Sequence, residues 1–186
     1  YVFTTVHISS YVPVPILEIG SFLQDNDIDR VRKLFARESK DFLQKYFKKE
    51  LFFTDVEGKT KDEVLKNLCR KVEQEKGLPE TFTASVLKRE ELTPTDYGNL
   101  VALPHPERAF QERAFVAVAV LKEPIFWFRQ KVQVVFLTAI GREEDENLQQ
   151  FYEATTDLIL RPADVQNLIR HPDYDRLIQL LRRAEE

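Results

Sequence analysis

Two residues of this chain combine the right types and surroundings for phosphoryl chemistry. His105 follows Pro104, whose ring fixes φ and offers no backbone N–H, so the imidazole is presented with little backbone freedom. Arg89 lies upstream at a predicted helix end, and a guanidinium can hold two phosphoryl oxygens in its planar fork. A rigid imidazole near a guanidinium indicates a site that handles phosphate.

The same region also has purely structural interpretations. A Pro-His pair alone is typical of a surface turn, and Arg89 fits a solvated helix-end cation or a partner of Glu90. Thr95 and Asp96 are turn-forming residues, and Gly98 is suited to a positive φ. Residue types alone leave both interpretations open.

The other candidate ligands do not indicate a second site. Trp127 fits packing in the core or at its rim, and Cys69 fits a buried thiol on the apolar side of a helix. His7 and His171 are far apart in the sequence and lack the ligand spacing of a zinc site. No Gly-rich phosphate loop and no nucleophile elbow is present. We therefore expect neither a metal nor a cofactor.

Composition narrows the function classes. The 186 residues are 43% hydrophobic and 31% charged, which is enough apolar sequence for a substantial core. A net charge of -4 with interspersed signs does not favour direct contact with nucleic acid. The absence of a long apolar run, of a signal pattern and of paired cysteines favours a cytoplasmic setting without a membrane. Tyr1 lies inside an apolar run, so we expect a piece of a longer protein.

Hydrophobic periodicity indicates the elements that must position these residues. Strand patterns alternate with helical ones, which predicts an α/β fold with a mixed central β-sheet flanked by helices. Runs 115–121 and 132–140 are nearly continuous, as in strands covered on both faces. Further strands are predicted at 1–7, 100–103 and, at an edge, 124–128. Helices are predicted at 25–47, from the Thr60 capping box to Gly77, from Pro79 to Glu90, and at 145–160, 162–170 and 173–183.

Three motifs in order carry a family resemblance. Arg89-Glu90, Thr95-x-x-Gly98 and Val101-Ala-Leu-Pro-His105 resemble the active-site signature of enzyme IIA domains of the fructose/mannitol class. These domains belong to the bacterial sugar phosphotransferase system, and the resemblance extends from residue 46 to residue 183. It implies that fold, with His105 taking a phosphoryl group from the histidine phosphocarrier protein and passing it to an enzyme IIB domain. It also implies that Arg89 stabilises phosphoryl charge and that Thr95 donates a hydroxyl hydrogen bond.

Two departures from the catalytic members bear on rate. Pro106 follows His105, where those members have a small residue, and Asn147 occupies the position of their second active-site histidine. An amide can hydrogen-bond to a phosphoryl oxygen but cannot carry positive charge. The departures therefore favour phosphorylation without rapid relay.

Other motifs resemble a regulatory branch of the family. His105-Pro106, Val132-Gln-Val-Val-Phe136 and Leu148-Gln-Gln-Phe-Tyr152 look more like the enzyme IIA-like domains that end BglG-type transcription regulators, including mannitol- and lichenan-operon activators. Phe3-Thr-Thr-Val6 and Val12-Pro-Val-Pro-Ile16 resemble the tail of the preceding enzyme IIB-like domain. The implied organisation is a tail or linker at 1–24, a connecting helix at 25–47 and an enzyme IIA-like domain at 48–186.

The resemblance implies one leading function and two alternatives. The leading hypothesis is a regulatory phospho-acceptor domain of a sugar-responsive regulator or antiterminator, phosphorylated on His105 by the phosphocarrier protein or an enzyme IIB domain. The alternatives are a catalytic enzyme IIA that relays phosphate in sugar uptake and a degenerate interaction domain without phosphorylation. Other domains of the same regulator are expected partners, with a homodimer formed through the full-length protein. Whether the domain is an enzyme stays open.

Overall fold

The chain divides into two compact units, Tyr1–Asp41 and Phe42–Glu186, which are described separately. In the first unit, strand β1 (Val2–Thr4) pairs in parallel with β2 (Ile16–Glu18). The assignment of residues 1–24 to a linker or to the tail of an enzyme IIB-like domain stays a prediction. The computed structural model describes residues 2–5, 8, 11, 13–14, 16–18, 43–142 and 148–182.

The second unit contains a mixed five-stranded sheet in the order β3-β6-β7-β5-β4. Its β3–β6 and β5–β7 pairs are parallel, and its β6–β7 and β4–β5 pairs are antiparallel. The predicted mixed sheet flanked by helices is confirmed. The strands are β3 (Phe47–Phe53), β4 (Asp96–Gly98), β5 (Val101–Ala102), β6 (Phe115–Phe126) and β7 (Lys131–Ala139). The helices are α1 (Lys61–Lys76), α2 (Thr81–Leu92), α3 (Leu148–Ile159), α4 (Pro162–Arg170) and α5 (Tyr174–Arg182).

The predicted connecting helix 25–47 lies mostly outside the described residues. Of it, residues 43–46 are helical, and Phe47 is already the first residue of β3. Phe47 is buried with its ring edge-on to Phe136 of β7 and tilted against Phe151 of α3. Packing on the sheet therefore takes Phe47 into a strand, although its spacing also continues a helical pattern. Within the described part of the chain, no helix has the length and apolar character required to cross a membrane.

The central strands are covered on both faces, as their continuous apolar runs predict. Val116, Val118 and Val120 of β6 belong to the core built with α3, α4 and α5. The alternate residues Ala117 and Ala119 belong to the core built with α1 and α2. Because successive side chains of a strand point to opposite faces, one strand serves two cores. The sheet is thus a fixed platform for the segments that leave its ends.

The predicted separate edge strand at 124–128 is wrong, because residues 124–126 are the last three residues of β6 and residues 127–128 follow it. Ile125 pairs with Val132 of β7 after a register shift that follows Val120. Pro124 lies within this irregular part of the pairing. Proline has no backbone N–H, and here no regular hydrogen bond between β6 and β7 requires one. The Trp127 N–H then donates to the Gln130 carbonyl at 2.9 Å and closes the turn into β7.

The ends of α1 follow from local sequence. The Thr60 hydroxyl accepts the Glu63 N–H at 3.3 Å, as in the predicted capping box. In a capping box the Glu63 carboxylate would accept the backbone N–H of Thr60. Here it accepts the N–H of the preceding residue, Lys59, at 2.8 Å. Gly77 ends the helix with φ 62, a left-handed conformation that favours glycine. Both predicted helix ends are confirmed.

Burial should make the single cysteine unreactive in the folded protein. Cys69 of α1 is fully buried, and desolvation, reinforced by the Glu73 carboxylate, raises the pKa of its thiol. Because the thiolate is the nucleophile, we expect Ellman's reagent to react at least about 100-fold more slowly with the native protein than with the unfolded chain. The matched control is the same protein in guanidinium chloride. Rapid native reaction would contradict the assigned burial.

Candidate functional site

His105 lies just beyond the carboxyl end of β5. The chain continues beside β7 after the strand ends, because the Thr138 N–H donates to the Pro104 carbonyl at 3.0 Å. Pro104 and Pro106 are both buried, and His105 between them is half-buried. The imidazole therefore lies at the edge where two parallel strands end, fixed by a proline on each side. This agrees with the rigid presentation predicted for it.

One ring nitrogen of His105 is turned toward its own backbone. Nδ1 lies 3.3 Å from the Leu103 carbonyl oxygen, near the long end of the range for N–H···O bonds. A carbonyl only accepts, so this contact requires the proton of the neutral ring to be on Nδ1. Nε2 then keeps its lone pair. In this tautomer Nε2 is the ring nitrogen whose lone pair is available.

A buried carboxylate organises the segment that precedes β4. Glu90 of α2 has 1% of its surface exposed, and its Oε1 accepts the Thr95 N–H at 2.9 Å and the Trp127 indole N–H at 2.7 Å. Its Oε2 accepts the Thr95 hydroxyl at 2.7 Å. Trp127 is 4% exposed, so its predicted packing role is confirmed. The three donors stabilise a charge that would otherwise be costly to bury.

Sequence reasoning missed this role of Glu90 and considered it only as a partner of Arg89. A signal was available, because Phe82, Val86 and Glu90 repeat at helical spacing on one face of α2. The first two are fully buried members of the core. A glutamate on the same face near the helix end must therefore be buried and must find donors.

The Thr95 segment is linked directly to the strand that leads to His105. The Thr95 carbonyl accepts the Leu103 N–H at 3.0 Å. The predicted contact of the Thr95 hydroxyl with a phosphoryl group stays a prediction, since in this structure the hydroxyl donates to Glu90. Asp96, considered a turn residue, accepts the N–H groups of Arg129 and Gln130 at 2.7 and 2.9 Å. The turn between β6 and β7 is therefore joined to β4.

Three consecutive residues with positive φ reverse the chain between β4 and β5. The expected positive φ of Gly98 is confirmed at 97°, and Asn99 and Leu100 follow at 49° and 66°. The prediction that Leu100 begins a strand is wrong. Its left-handed backbone is uncommon for such a residue, and its carbonyl accepts the Gln133 and Val134 N–H groups at 2.8 and 3.0 Å. This tight reversal brings Thr95 back beside Leu103.

Arg89 lies near the same segment without contacting His105. The residue is half-buried, and its guanidinium donates to the Thr93 carbonyl at 3.3 Å. Among the described residues it makes no hydrogen bond or ion pair with His105 or Glu90. Helix α2 does contact the chain just past the histidine, because Ser85 Oγ accepts the Glu107 N–H at 2.9 Å. The pairing of Arg89 with a phosphoryl group on His105 stays a prediction.

The other candidate residues divide between those outside the described residues and those away from the site. Asn147 and His7 lie outside the described residues. His171 is exposed at the carboxyl end of α4, as expected for a connection between helices. Among the described residues, no group of three or more histidine, cysteine and acidic side chains could hold a metal ion.

Comparison with known sequences identifies similar proteins. Residues 45–184 match the profile of the family described as phosphoenolpyruvate-dependent sugar phosphotransferase system, EIIA 2. The chain is 34% identical over 177 residues to the probable licABCH operon regulator of Bacillus subtilis (strain 168), covering 95% of this chain and 28% of that protein. It is 27% identical over 120 residues to the transcriptional regulator ManR of the same organism, covering 64% of this chain and 18% of that protein. Both relatives are much longer proteins.

Comparison with solved structures shows a shared fold. The enzyme IIA of the Escherichia coli complex of enzyme IIAMtl with phosphorylated enzyme IIBMtl superposes with a TM-score of 0.61 at 17% identity. The superposition covers 73% of this chain and 97% of that one. At this sequence identity, the superposition supports the fold class alone.

The tautomer of His105 can be measured directly. We expect nitrogen NMR of isotopically labelled protein, in alkaline solution where imidazole is neutral, to show the proton mainly on Nδ1, because the Leu103 carbonyl accepts it. Exposed His171 is the internal control and should show the tautomer mixture of a solvated ring. A His105 ring protonated mainly on Nε2 would contradict the geometry.

Proposed function

This chain belongs to the enzyme IIA type 2 family of the phosphoenolpyruvate-dependent sugar phosphotransferase system, and we propose that it is the phospho-acceptor domain of a sugar-responsive transcriptional regulator. The single observation that carries the proposal is the orientation of His105, whose Nδ1 faces the Leu103 carbonyl and leaves Nε2 as the nucleophile. The regulatory role is supported by the relative that is 34% identical, a probable operon regulator.

With the histidine phosphocarrier protein as donor, the proposed reaction moves a phosphoryl group between two histidines. The Nε2 lone pair of His105 attacks phosphorus as the P–N bond to the donor histidine breaks, and the electron pair of that bond returns to the donor ring. The Nδ1 proton of His105 stays hydrogen-bonded to Leu103. Charge on the equatorial oxygens is met by Arg89, whose carbonyl partner in the resting protein is Thr93.

A phosphoryl group at this position suits a switch. It adds a charge of about −1.5 to −2 to a half-buried side chain between two buried prolines. The surrounding backbone is held by strand pairing and cannot move away, so the charge changes what surface can pack over the site. The amide of Asn147, where catalytic relatives have a histidine, cannot supply the positive charge expected of a fast relay.

The partners follow from the chemistry proposed. The phosphoryl donor is the histidine phosphocarrier protein or an enzyme IIB domain. The proposed setting is the cytoplasm, where a free cysteine such as Cys69 stays reduced. The domains that respond to phosphorylation are other domains of the same longer regulator. This part makes no direct contact with nucleic acid or membrane in the proposed function. A homodimer would form through the full-length protein.

A second function is a working enzyme IIA that relays phosphate to enzyme IIB in sugar uptake. Membership of the enzyme IIA type 2 family of the phosphoenolpyruvate-dependent sugar phosphotransferase system favours it. The two functions differ in what happens after phosphorylation. A relay loses its phosphoryl group to enzyme IIB at each turnover, whereas a switch retains it for the time needed to change a regulator's activity.

Phosphorylation of His105 is the first test. Incubation with phosphoenolpyruvate, the phosphocarrier protein and its kinase should place acid-labile phosphate on the wild-type chain and none on His105→Ala, because the proposed acceptor is the His105 lone pair that the Leu103 carbonyl orients. His171→Ala is the matched control and should be labelled normally. A wild-type chain that takes no label would leave only the degenerate interaction domain. Rapid loss of label to enzyme IIB would favour the relay.

Removal of the guanidinium should slow the reaction without abolishing it. We expect Arg89→Ala to lower the rate of phosphorylation by about 10- to 100-fold, because one charge-stabilising donor to the transition state is lost. Arg170→Ala is the matched control, since Arg170 is also a helix-end arginine bonded to a carbonyl of its own helix. Quench-flow measurement of label gives both rates. Equal rates for the two variants would remove Arg89 from the site.

A further inference from the structure

We propose that Glu90 is the positioning residue of this site, holding the His105 imidazole in its reactive orientation through the Thr95 segment. The proposal rests on the proposed function, since it concerns phosphorylation of the same histidine. Among the described residues the Glu90 carboxylate makes no hydrogen bond or ion pair with His105 or with the Arg89 guanidinium, so we infer that it acts through the Thr95 backbone that it binds. This separates it from a residue that touches the reacting atoms.

A continuous series of hydrogen bonds joins the carboxylate to the imidazole. Glu90 accepts both the N–H and the hydroxyl of Thr95, at 2.9 and 2.7 Å. The Thr95 carbonyl accepts the Leu103 N–H at 3.0 Å. The Leu103 carbonyl lies 3.3 Å from His105 Nδ1. Each contact holds a residue whose other polar group makes the next contact, so displacing Thr95 displaces Leu103, whose carbonyl faces the imidazole.

The other side of the carboxylate is anchored in the core. The Trp127 indole N–H donates to Glu90 Oε1 at 2.7 Å, and the ring lies in the core shared with α1 and α2. The Trp127 backbone is itself fixed by the turn bond to Gln130 at 2.9 Å. Glu90 therefore joins the rigid sheet turn to the Thr95 segment. A carboxylate held only by Thr95 would move with it and would position nothing.

The three donors to Glu90 indicate which substitutions distinguish its hydrogen bonds from its negative charge. Glutamine keeps one oxygen that can accept the two N–H groups, while its amide can donate to the Thr95 hydroxyl once that hydroxyl rotates. Glu90→Gln thus preserves three hydrogen bonds and removes the charge. Glu90→Ala removes all three and leaves two buried N–H donors unpaired. Glu91→Ala changes the exposed neighbouring glutamate and is the matched control.

The test measures phosphorylation kinetics and the His105 tautomer together. For Glu90→Ala we expect kcat to fall by about 10- to 100-fold, since small displacements of reacting groups have effects of this size. KM for the phosphocarrier protein should stay within about 3-fold, because no exposed side chain is changed. Its His105 ring should lose the preference for a proton on Nδ1. Glu90→Gln should keep kcat within about 5-fold of wild type, and Glu91→Ala should match wild type.

Specific results would overturn the proposal. Folded Glu90→Ala with wild-type kcat and tautomer would do so, as would Glu90→Gln losing as much rate as Glu90→Ala while keeping the wild-type tautomer. If Glu90→Ala does not fold, Thr95→Val replaces it, and the tautomer is read in the unphosphorylated protein, where no phosphoryl contact contributes. An unchanged tautomer there overturns the proposal, and loss of the Nδ1 preference supports it. An unlabelled wild type rejects the proposed function, while the tautomer comparison still tests the positioning role.

Discussion

The Glu90 carboxylate is buried at the end of α2, and three donors from two distant parts of the chain meet it. A buried charge without donors is costly, so the packing of α2 on the sheet requires these donors. Because their N–H and hydroxyl groups must reach the Glu90 carboxylate, the positions of the Thr95 segment and the Trp127 ring are constrained. Because the Thr95 carbonyl also pairs with Leu103, the same constraint reaches the backbone that presents His105.

The sheet supplies the rigidity on which this constraint acts. β6 and β7 form its centre, with apolar side chains alternating between two cores. β5 is only two residues long and lies between β7 and β4, so the chain leaves the core almost immediately after it. The residues past β5 are still held, because Pro104 accepts a hydrogen bond from β7. His105 therefore combines partial exposure with a backbone as fixed as a strand.

The orientation of His105 and the similarity to a probable operon regulator are both consistent with the proposed phospho-acceptor domain. A neutral imidazole with one nitrogen committed to a carbonyl is a nucleophile that needs no general base. In the proposed function, a phosphoryl group would add charge beside a backbone that the Thr138 N–H holds at Pro104. Such a group can be read by a neighbouring domain. The chain spans 28% of the length of a relative that is a probable operon regulator, so neighbouring domains are present in proteins of that kind.

Local sequence determined most of the elements, and tertiary contacts decided how they act. Periodicity predicted the layered α/β sheet, capping residues predicted the Thr60 and Gly77 helix ends, and Pro104 predicted a restricted backbone at His105, because each depends on neighbouring residues. The role of Glu90 depends on Trp127, which is 37 residues away, and no local pattern shows which donors will meet a carboxylate. Leu100 has a left-handed backbone that its residue type does not favour, and two N–H groups of β7 bond its carbonyl in that conformation. The tautomer of His105 likewise follows from where folding places one carbonyl oxygen.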